Sequence, residues 1–472
     1  YSLKAESVCA DYFISAIADE FSYDPVLESW YQWDEYWRKC EGKKAESEFL
    51  KIFRAETRTP GEGGYGNNFF RNVLSLAQID EQVRIPDVPN HFINFLNGVV
   101  DIQQIGKKGD LVDAEPSNSQ KWQIPYNYIP TAWPSFFLQW LDEVLCDAGL
   151  VQFIRAFMNC IIKRRVDLQF FVYFYGPEGR NGKGVLTRII EKLLAKDDIV
   201  STSLFVLQKD MFEAMRIYNK GLILLNEQKA INDVTMLKLM TGNDLIAGRL
   251  KGSNESKDFR RSGQVLISSN AFMKYNSDDA APIIQRQRII PFLQNFSEEQ
   301  QAEFIKKGGE KKLQDEIPGI IQWALSMSDD EVTEIVMNRC PAMMAAEEIA
   351  AKAGNGLSSF LLDSLVHAPG SRIYIGHGRA WKDRKGVERY GAEGDEKAKL
   401  FPAYLAYCRD NRIKTPLSAN DFAEAIVSMA KRLWKVRDVA RREKPTKFGY
   451  PIENIAFSAQ FLAEGVEEGK HE

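Results

Sequence analysis

The chain has 472 residues, room for about three domains of roughly 150 residues each. Lysine and arginine number 61 against 65 aspartates and glutamates, and 44% of residues are hydrophobic; this fits a folded protein, and not one that coats nucleic acid through bulk positive charge. No run approaches the roughly 18–20 apolar residues that span a bilayer and no signal peptide opens the chain, which speaks against a secreted, membrane-embedded or fibrous protein.

Residues 1 to about 55 read as helical, because Trp30, Trp33 and Trp37, with Tyr31 and Tyr36 alongside, fall at i, i+3 and i+7, either one buried helix face or a stripe that stacks on bases, the buried face being the commoner case. TRTPGEGGYGNN (57–68) reads as a flexible connection, its glycines neither following a strand nor opening a helix. FINFLNGVVDI predicts a strand and turn. An amphipathic helix carrying Phe136, Phe137, Trp140, Leu141 and Val144 follows, then a helix from about Val151 to Arg164. Its terminal Lys163, Arg164 and Arg165 suit the negative end of a helix dipole.

In the middle third, QFFVYFY, GLILLN and VLISSN alternate with helical segments. Each run is nearly continuous, as in a parallel sheet covered on both faces. A helical stretch through Ala345 to Lys352 reads as a linker. LFPAYLAYCRDNR and SANDFAEAIVSMAKRL predict two more helices, the second opened by Ser418 and Asp421. WKVRDVARRE and FGYPIENIAFS then predict a hairpin, and helix, helix, hairpin is the order of a winged helix. The six cysteines contain no C-x-x-C pair and only four histidines accompany them. Reduced thiols in a cytoplasm are the simplest reading. Starting at Tyr1 and not Met, the sequence reads as a piece of a longer chain.

The strongest chemical signal is YGPEGRNGKGVL. A strand runs into Gly176, Pro177, Glu178, Gly179, Arg180, Asn181, Gly182, Lys183, Gly184 and Val185, with a helix opening at about Lys183. Backbone N–H groups and a positive helix end hold phosphate oxygens in such a setting, and a lysine reaches the outer phosphates. The spacing departs from G-x-x-x-x-G-K-[ST], and Gly184 stands where a hydroxyl would ligate Mg²⁺. Glu227 ends the second apolar strand, where a carboxylate can polarise an attacking water or hold a metal. Asn270 ends the third, where an amide can orient that water. Between them lies a basic hairpin with Arg249, Lys251, Lys257, Arg260 and Arg261, either a solvated edge or a contact for a nucleic-acid backbone. In PIIQRQRIIPF, Arg286 and Arg288 either pair with surface acids or reach into a neighbouring subunit's site. Eight basic residues and two acids occupy 431–450, Lys435, Arg437, Arg441, Arg442, Lys444 and Lys447 among them, on the proposed wing.

The phosphate loop, Glu227 strand, basic hairpin, VLISSN and RQRIIPF, in this order, resemble the superfamily 3 helicases, and within them the helicase part of the phage, plasmid and poxvirus-type primase-helicases. FLNGVVDI and IPYNYIPTAWPSFFLQWLDEV resemble the segments that precede the ATPase there. The resemblance implies an α/β fold with a P-loop AAA+ type core at 167–327. It also implies a mainly helical N-terminal collar at 1–166, a helical linker at 328–355 and a winged-helix-like DNA-binding domain at 356–472. The implied function is a ring-forming, hexameric replicative DNA helicase of a virus or mobile element in the host cytoplasm. It would use ATP and Mg²⁺, move 3′ to 5′ on single-stranded DNA and unwind forks. Lys183 would bind phosphates, Glu227 would serve Mg²⁺ or water and Asn270 would sense the γ-phosphate. Arg286, with Arg288 as fallback, would be the finger supplied in trans. Lys251 and Lys257, with Arg249, would grip DNA in the channel.

Gly184 and Asn226 leave Mg²⁺ few direct ligands, so weak metal affinity is expected, Mg²⁺ being content with water and phosphate. An origin-binding P-loop scaffold with vestigial hydrolysis is the alternative. A small-molecule kinase would explain neither the hairpin nor the basic tail. Nothing in the sequence resembles a primase centre, so any primase domain is expected before Tyr1.

Overall fold

The computed structural model describes residues 5–57, 65–105, 109–225, 230–231, 233–275, 281–354, 356–411, 413, 416–434, 436–442 and 450–463. The chain divides into two compact units. One reaches to Met344; the other holds Ala345 onward together with the short pair Ala230–Ile231 and Lys274–Tyr275.

The first unit opens with helix Glu6–Ile17 and a three-stranded antiparallel sheet, Phe21–Asp24, Ser29–Trp33 and Trp37–Lys39. The tryptophans are therefore on strands, not on one helix. Trp30 and Trp37 are buried, and Trp33 faces Trp37 directly across a hairpin whose turn holds Glu35 at φ 61°. Their i, i+3, i+7 spacing arises from a strand, a turn and a second strand. Aromatic side chains favour a pleated surface, and the turn carries no glycine to announce it. Trp30 still belongs to a core, packing with Phe13, Phe49, Phe53 and Phe70. Strands Phe92–Phe95 and Gly98–Asp101 form the expected hairpin. Helices Ser135–Leu145 and Ala148–Ile162 follow.

Among the described residues, five parallel strands make the central sheet: β1 (Phe171–Tyr175), β2 (Ile199–Thr202), β3 (Leu222–Leu225), β4 (Gln264–Ser269) and β5 (Gln287–Pro291). Their spatial order is β5-β1-β4-β3-β2. Val172, Phe174, Leu222 and Leu266 share one core with Phe153, Phe157 and Ile161 of the preceding helix. Val332, Val336 and Met343, from the stretch expected to be a linker, are buried in that same core.

In the second unit, helices Leu400–Asp410 and Ala419–Leu433 precede the antiparallel pair Ala440–Arg441 and Pro451–Phe457. Ser418 caps the second helix through the Asp421 N–H at 3.3 Å. The long strand Leu365–Tyr374 joins Pro451–Phe457 on its other side and was not foreseen.

Candidate nucleotide site and nucleic-acid surface

β1 and β4 are neighbours whose onward connections leave in opposite directions, β1 toward β2 and β4 toward β5. The crevice beyond the carboxyl ends of two such strands is where open α/β sheets take ligands. Tyr175 and Ser269 end level with one another there. The loop from Gly176 leaves β1, and helix Lys183–Lys192 starts immediately after it. Two glycines are dictated by the close packing. A Cβ at Gly176 would stand 2.2 Å from Asn181 Nδ2, and one at Gly182, whose φ is +82°, would stand 2.8 Å from Val144. Asn181 is 4% exposed and staples the loop. It donates to the Glu178 carbonyl at 2.7 Å and the Phe292 carbonyl at 3.4 Å, and accepts from the Lys183 N–H at 3.3 Å.

The Lys183 ammonium lies across the ends of both strands. It donates to the Ser269 carbonyl at 2.7 Å, the Gly176 carbonyl at 3.4 Å and Asn270 Oδ1 at 2.5 Å. The fold thus brings together Lys183 and Asn270, which are 87 residues apart in sequence. Ser269 shapes the turn that presents Asn270: its hydroxyl donates to the Ala271 carbonyl at 3.0 Å and accepts from the Ala271 N–H at 3.2 Å. Neither Asn181 nor Ser269 stood out in the sequence for these supporting roles. Glu227 lies outside the described residues, as does Asn226. Among the described residues no group of three or more His, Cys, Asp or Glu could hold a metal ion. A Cβ at Gly184 would meet only Arg188 Nη1, at 3.4 Å. Arg188 grips Glu310 through bonds of 2.9 and 2.7 Å, and that hydrogen bonding holds the Glu310 carboxyl below its usual range.

Beside the loop is a cavity of about 510 Å³ lined by Phe136, Trp140, Arg180, Gly182, Val185 and Phe304, among others. The Phe136 and Phe304 rings stack at 6.3 Å within it. The helix pattern marked Phe136 and Trp140 as core; only the fold shows them walling a cavity against the loop.

The two arginines divide. Arg286 ends helix Ala281–Arg286, half-buried, donating to the Lys238 carbonyl at 3.1 Å and to Thr241 Oγ1 at 3.3 Å. Arg288 is 4% exposed on β5. Its guanidinium donates to the carbonyls of Val336 at 2.9 Å, Gln285 at 2.8 Å and Gln287 at 3.1 Å. These bonds make Arg288 part of the fold and leave it no reach toward another molecule.

The basic hairpin is Ile246–Arg249 paired with Ser256–Phe259. Lys251 is exposed near its tip, and Lys257 pairs with Glu28 at 3.1 Å. Arg249 lies over the Phe212 ring at 4.9 Å. Arg260 donates to the Asn243 carbonyl. Arg261 is buried, donating to the Met240 and Gly263 carbonyls, and burial pushes its pKa down to about 10. In the second unit Arg437 and Arg441 are exposed, Arg441 over the Tyr450 ring at 4.9 Å, and Arg442 pairs with Glu453 at 2.5 Å. Lys435, Lys444 and Lys447 lie outside the described residues.

Residues 10–146 match a family model described as D5 N terminal like. Residues 174–286 match one described as a family of unknown function, DUF5906. The uncharacterized mitochondrial protein ymf20 of Marchantia polymorpha is 29% identical over 139 residues, which are 28% of this chain and 80% of that protein. Among solved structures, the apo NrS-1 C-terminal region is 12% identical over 94% of this chain and 98% of that one, with a TM-score of 0.47. The SCCmec type IV Cch active helicase is 12% identical over 92% of each chain, with a TM-score of 0.38. Among the described residues no helix is long and apolar enough to cross a membrane.

Proposed function

We propose that this chain is an ATP-driven replicative DNA helicase of superfamily 3 type, working as a homo-hexameric ring of AAA+ cores on single-stranded DNA with 3′ to 5′ movement. The observation that carries the reading is the meeting of Lys183 and Asn270 at 2.5 Å, at the carboxyl edge where the connections of β1 and β4 part. A positive side chain, a helix N-terminus and a polar amide there suit a triphosphate.

The residues present fit ATP. Lys183 would take the outer phosphates, with the first N–H groups of helix Lys183–Lys192 beside it. The cavity walled by Phe136, Trp140 and Phe304 offers the base an apolar slot. Asn270, released from Lys183, would orient the attacking water, and Glu227 would serve as its base or as the Mg²⁺ ligand. Mg²⁺ supplies neutralisation of phosphate charge when bound. Arg286 would act on the neighbouring subunit's nucleotide. Lys251, Lys257 and Arg249 would contact the DNA backbone, and the second unit, winged-helix-like in its order of elements, would add Arg437 and Arg441.

Gly184, which brings no hydroxyl to the metal, favours the second reading of an origin-binding scaffold with vestigial hydrolysis. ATP hydrolysis with and without single-stranded DNA separates the two. The motor reading expects stimulation by DNA, loss in Lys183→Ala and Arg286→Ala, and partial recovery when the two inactive variants are mixed. A wild type that binds DNA and turns over no ATP would establish the scaffold.

A further inference from the structure

On the first unit, away from Lys183, a cavity of about 890 Å³ opens between the N-terminal sheet, the start of β2, helix Met211–Met215 and the base of the basic hairpin. Its walls bring cations from parts of the chain far apart in sequence: Lys39, Lys196, Lys220, Arg249 and Lys251, together with Lys121, which is paired to Asp24 at 2.9 Å. Most of its acids are engaged within the protein. Asp198 pairs with Arg164. Glu213 accepts from Thr202 at 2.6 Å and Arg216 at 2.7 Å, and Asp210 caps the Phe212 N–H at 2.8 Å. Asp197 remains, exposed at the rim.

Lys39, Lys196 and Lys251 are exposed, and none has an ion-pair partner recorded among the described residues. Arg249 Nε is buried with no hydrogen-bond partner. Burial holds the Lys220 ammonium below its ordinary value against the opposing pull of Asp198 and Asp197, with Arg164 and Lys39 acting in the same sense as burial. The exposed lysines thus present positive charge along the cleft, which attracts a polyanion. Two partly exposed rings share the wall, each with a guanidinium over it at 4.9 Å: Tyr36 under Arg38 and Phe212 under Arg249. Cations spread over separate elements suit a run of phosphates better than one phosphate group, and rings beside them suit unpaired bases.

We propose that this cleft is a second track for single-stranded DNA, in which Lys39 and Lys196 contact phosphates while the rings of Tyr36 and Phe212 take bases. The proposal rests on the DNA-binding part of the reading above and not on ATP turnover.

The test is binding of a fluorescent oligo(dT) to the full chain across a salt series. Lys39→Glu with Lys196→Glu should weaken binding at least about tenfold and flatten the log–log salt slope relative to wild type. Removal of two contacts at about 0.7 each sets the expected change near 1.4. Lys39→Arg with Lys196→Arg should bind as wild type does. A reversed pair with wild-type affinity and slope would overturn the proposal. A second measurement is independent of the variants' folding: wild type irradiated with oligo(dT) carrying 5-iododeoxyuridine should cross-link at Tyr36 or Phe212, and cross-links confined to other segments would overturn it. Wild-type ATP turnover reports on the motor separately. Cross-linking in the cleft without turnover removes the motor and keeps the cleft. DNA-stimulated turnover with unchanged affinity in the reversed pair does the opposite.

Discussion

The two ends of the central sheet treat positive charge in opposite ways. At the carboxyl end, the Lys183 ammonium lies across the strand ends, donating to two carbonyls and the Asn270 amide oxygen. At the amino end, Arg164 is locked to Asp198, Arg261 to two carbonyls and Arg288 to three, all three arginines being buried. A buried cation tied to acceptors within the fold holds strands in place, even where, as at Arg164 Nε and Arg261 Nη2, one donor is left without a partner. A cation at the open end of the sheet, donating to carbonyl and amide oxygens, can trade those acceptors for a phosphate. Arg286 is the intermediate case, at the amino end and only half-buried.

Substitutions should separate these roles. The largest effect is expected from Arg164→Ala, which leaves Asp198 buried without its partner: a loss of about 3–5 kcal/mol in chemical denaturation. Lys183→Ala should cut DNA-stimulated ATP turnover by about a hundredfold or more while the denaturation midpoint moves little. A midpoint drop as large as that of Arg164→Ala would erase the contrast between the ends. Arg288→Ala should cost about 2–3 kcal/mol, because three carbonyls lose their donor. Arg286→Ala should leave stability within about 1 kcal/mol and take its effect in turnover. The smallest change is expected from Gly184→Ser, whose side chain meets only Arg188. Stability should shift by less than about 1 kcal/mol, and the Mg²⁺ concentration for half-maximal turnover should fall. An unchanged Mg²⁺ dependence would show that this position does not face the metal.

The parts of this architecture written in continuous apolar runs were legible: β1, β3 and β4 each coincide with one, and Lys183 and Asn270 follow from where β1 and β4 end. The edge strands were not. β2 reads IVST, short and half polar, and β5 begins with Gln287 and Arg288, which look like surface residues yet are 5% and 4% exposed. The burial of Arg288 is compensated by hydrogen bonds to backbone carbonyls that only the folded chain provides. Arg288 looked like a candidate to reach outward for the same reason. The tryptophan hairpin was misread because period alone cannot tell a helix face from two strands joined by a glycine-free turn. The cavity beside the loop and the cationic cleft were invisible, since each is assembled from segments distant in sequence.

β4 also has a mechanical side. It follows the basic hairpin by only a few residues, which Arg261 clamps to the Met240 and Gly263 carbonyls, and it ends where Asn270 touches Lys183. Its six residues run about 20 Å between those points, and neighbours on both sides hold its register. A strand supported this way neither stretches nor bends easily. It is a strut, and a load borne by the hairpin is delivered along it to the atom that rests on the lysine.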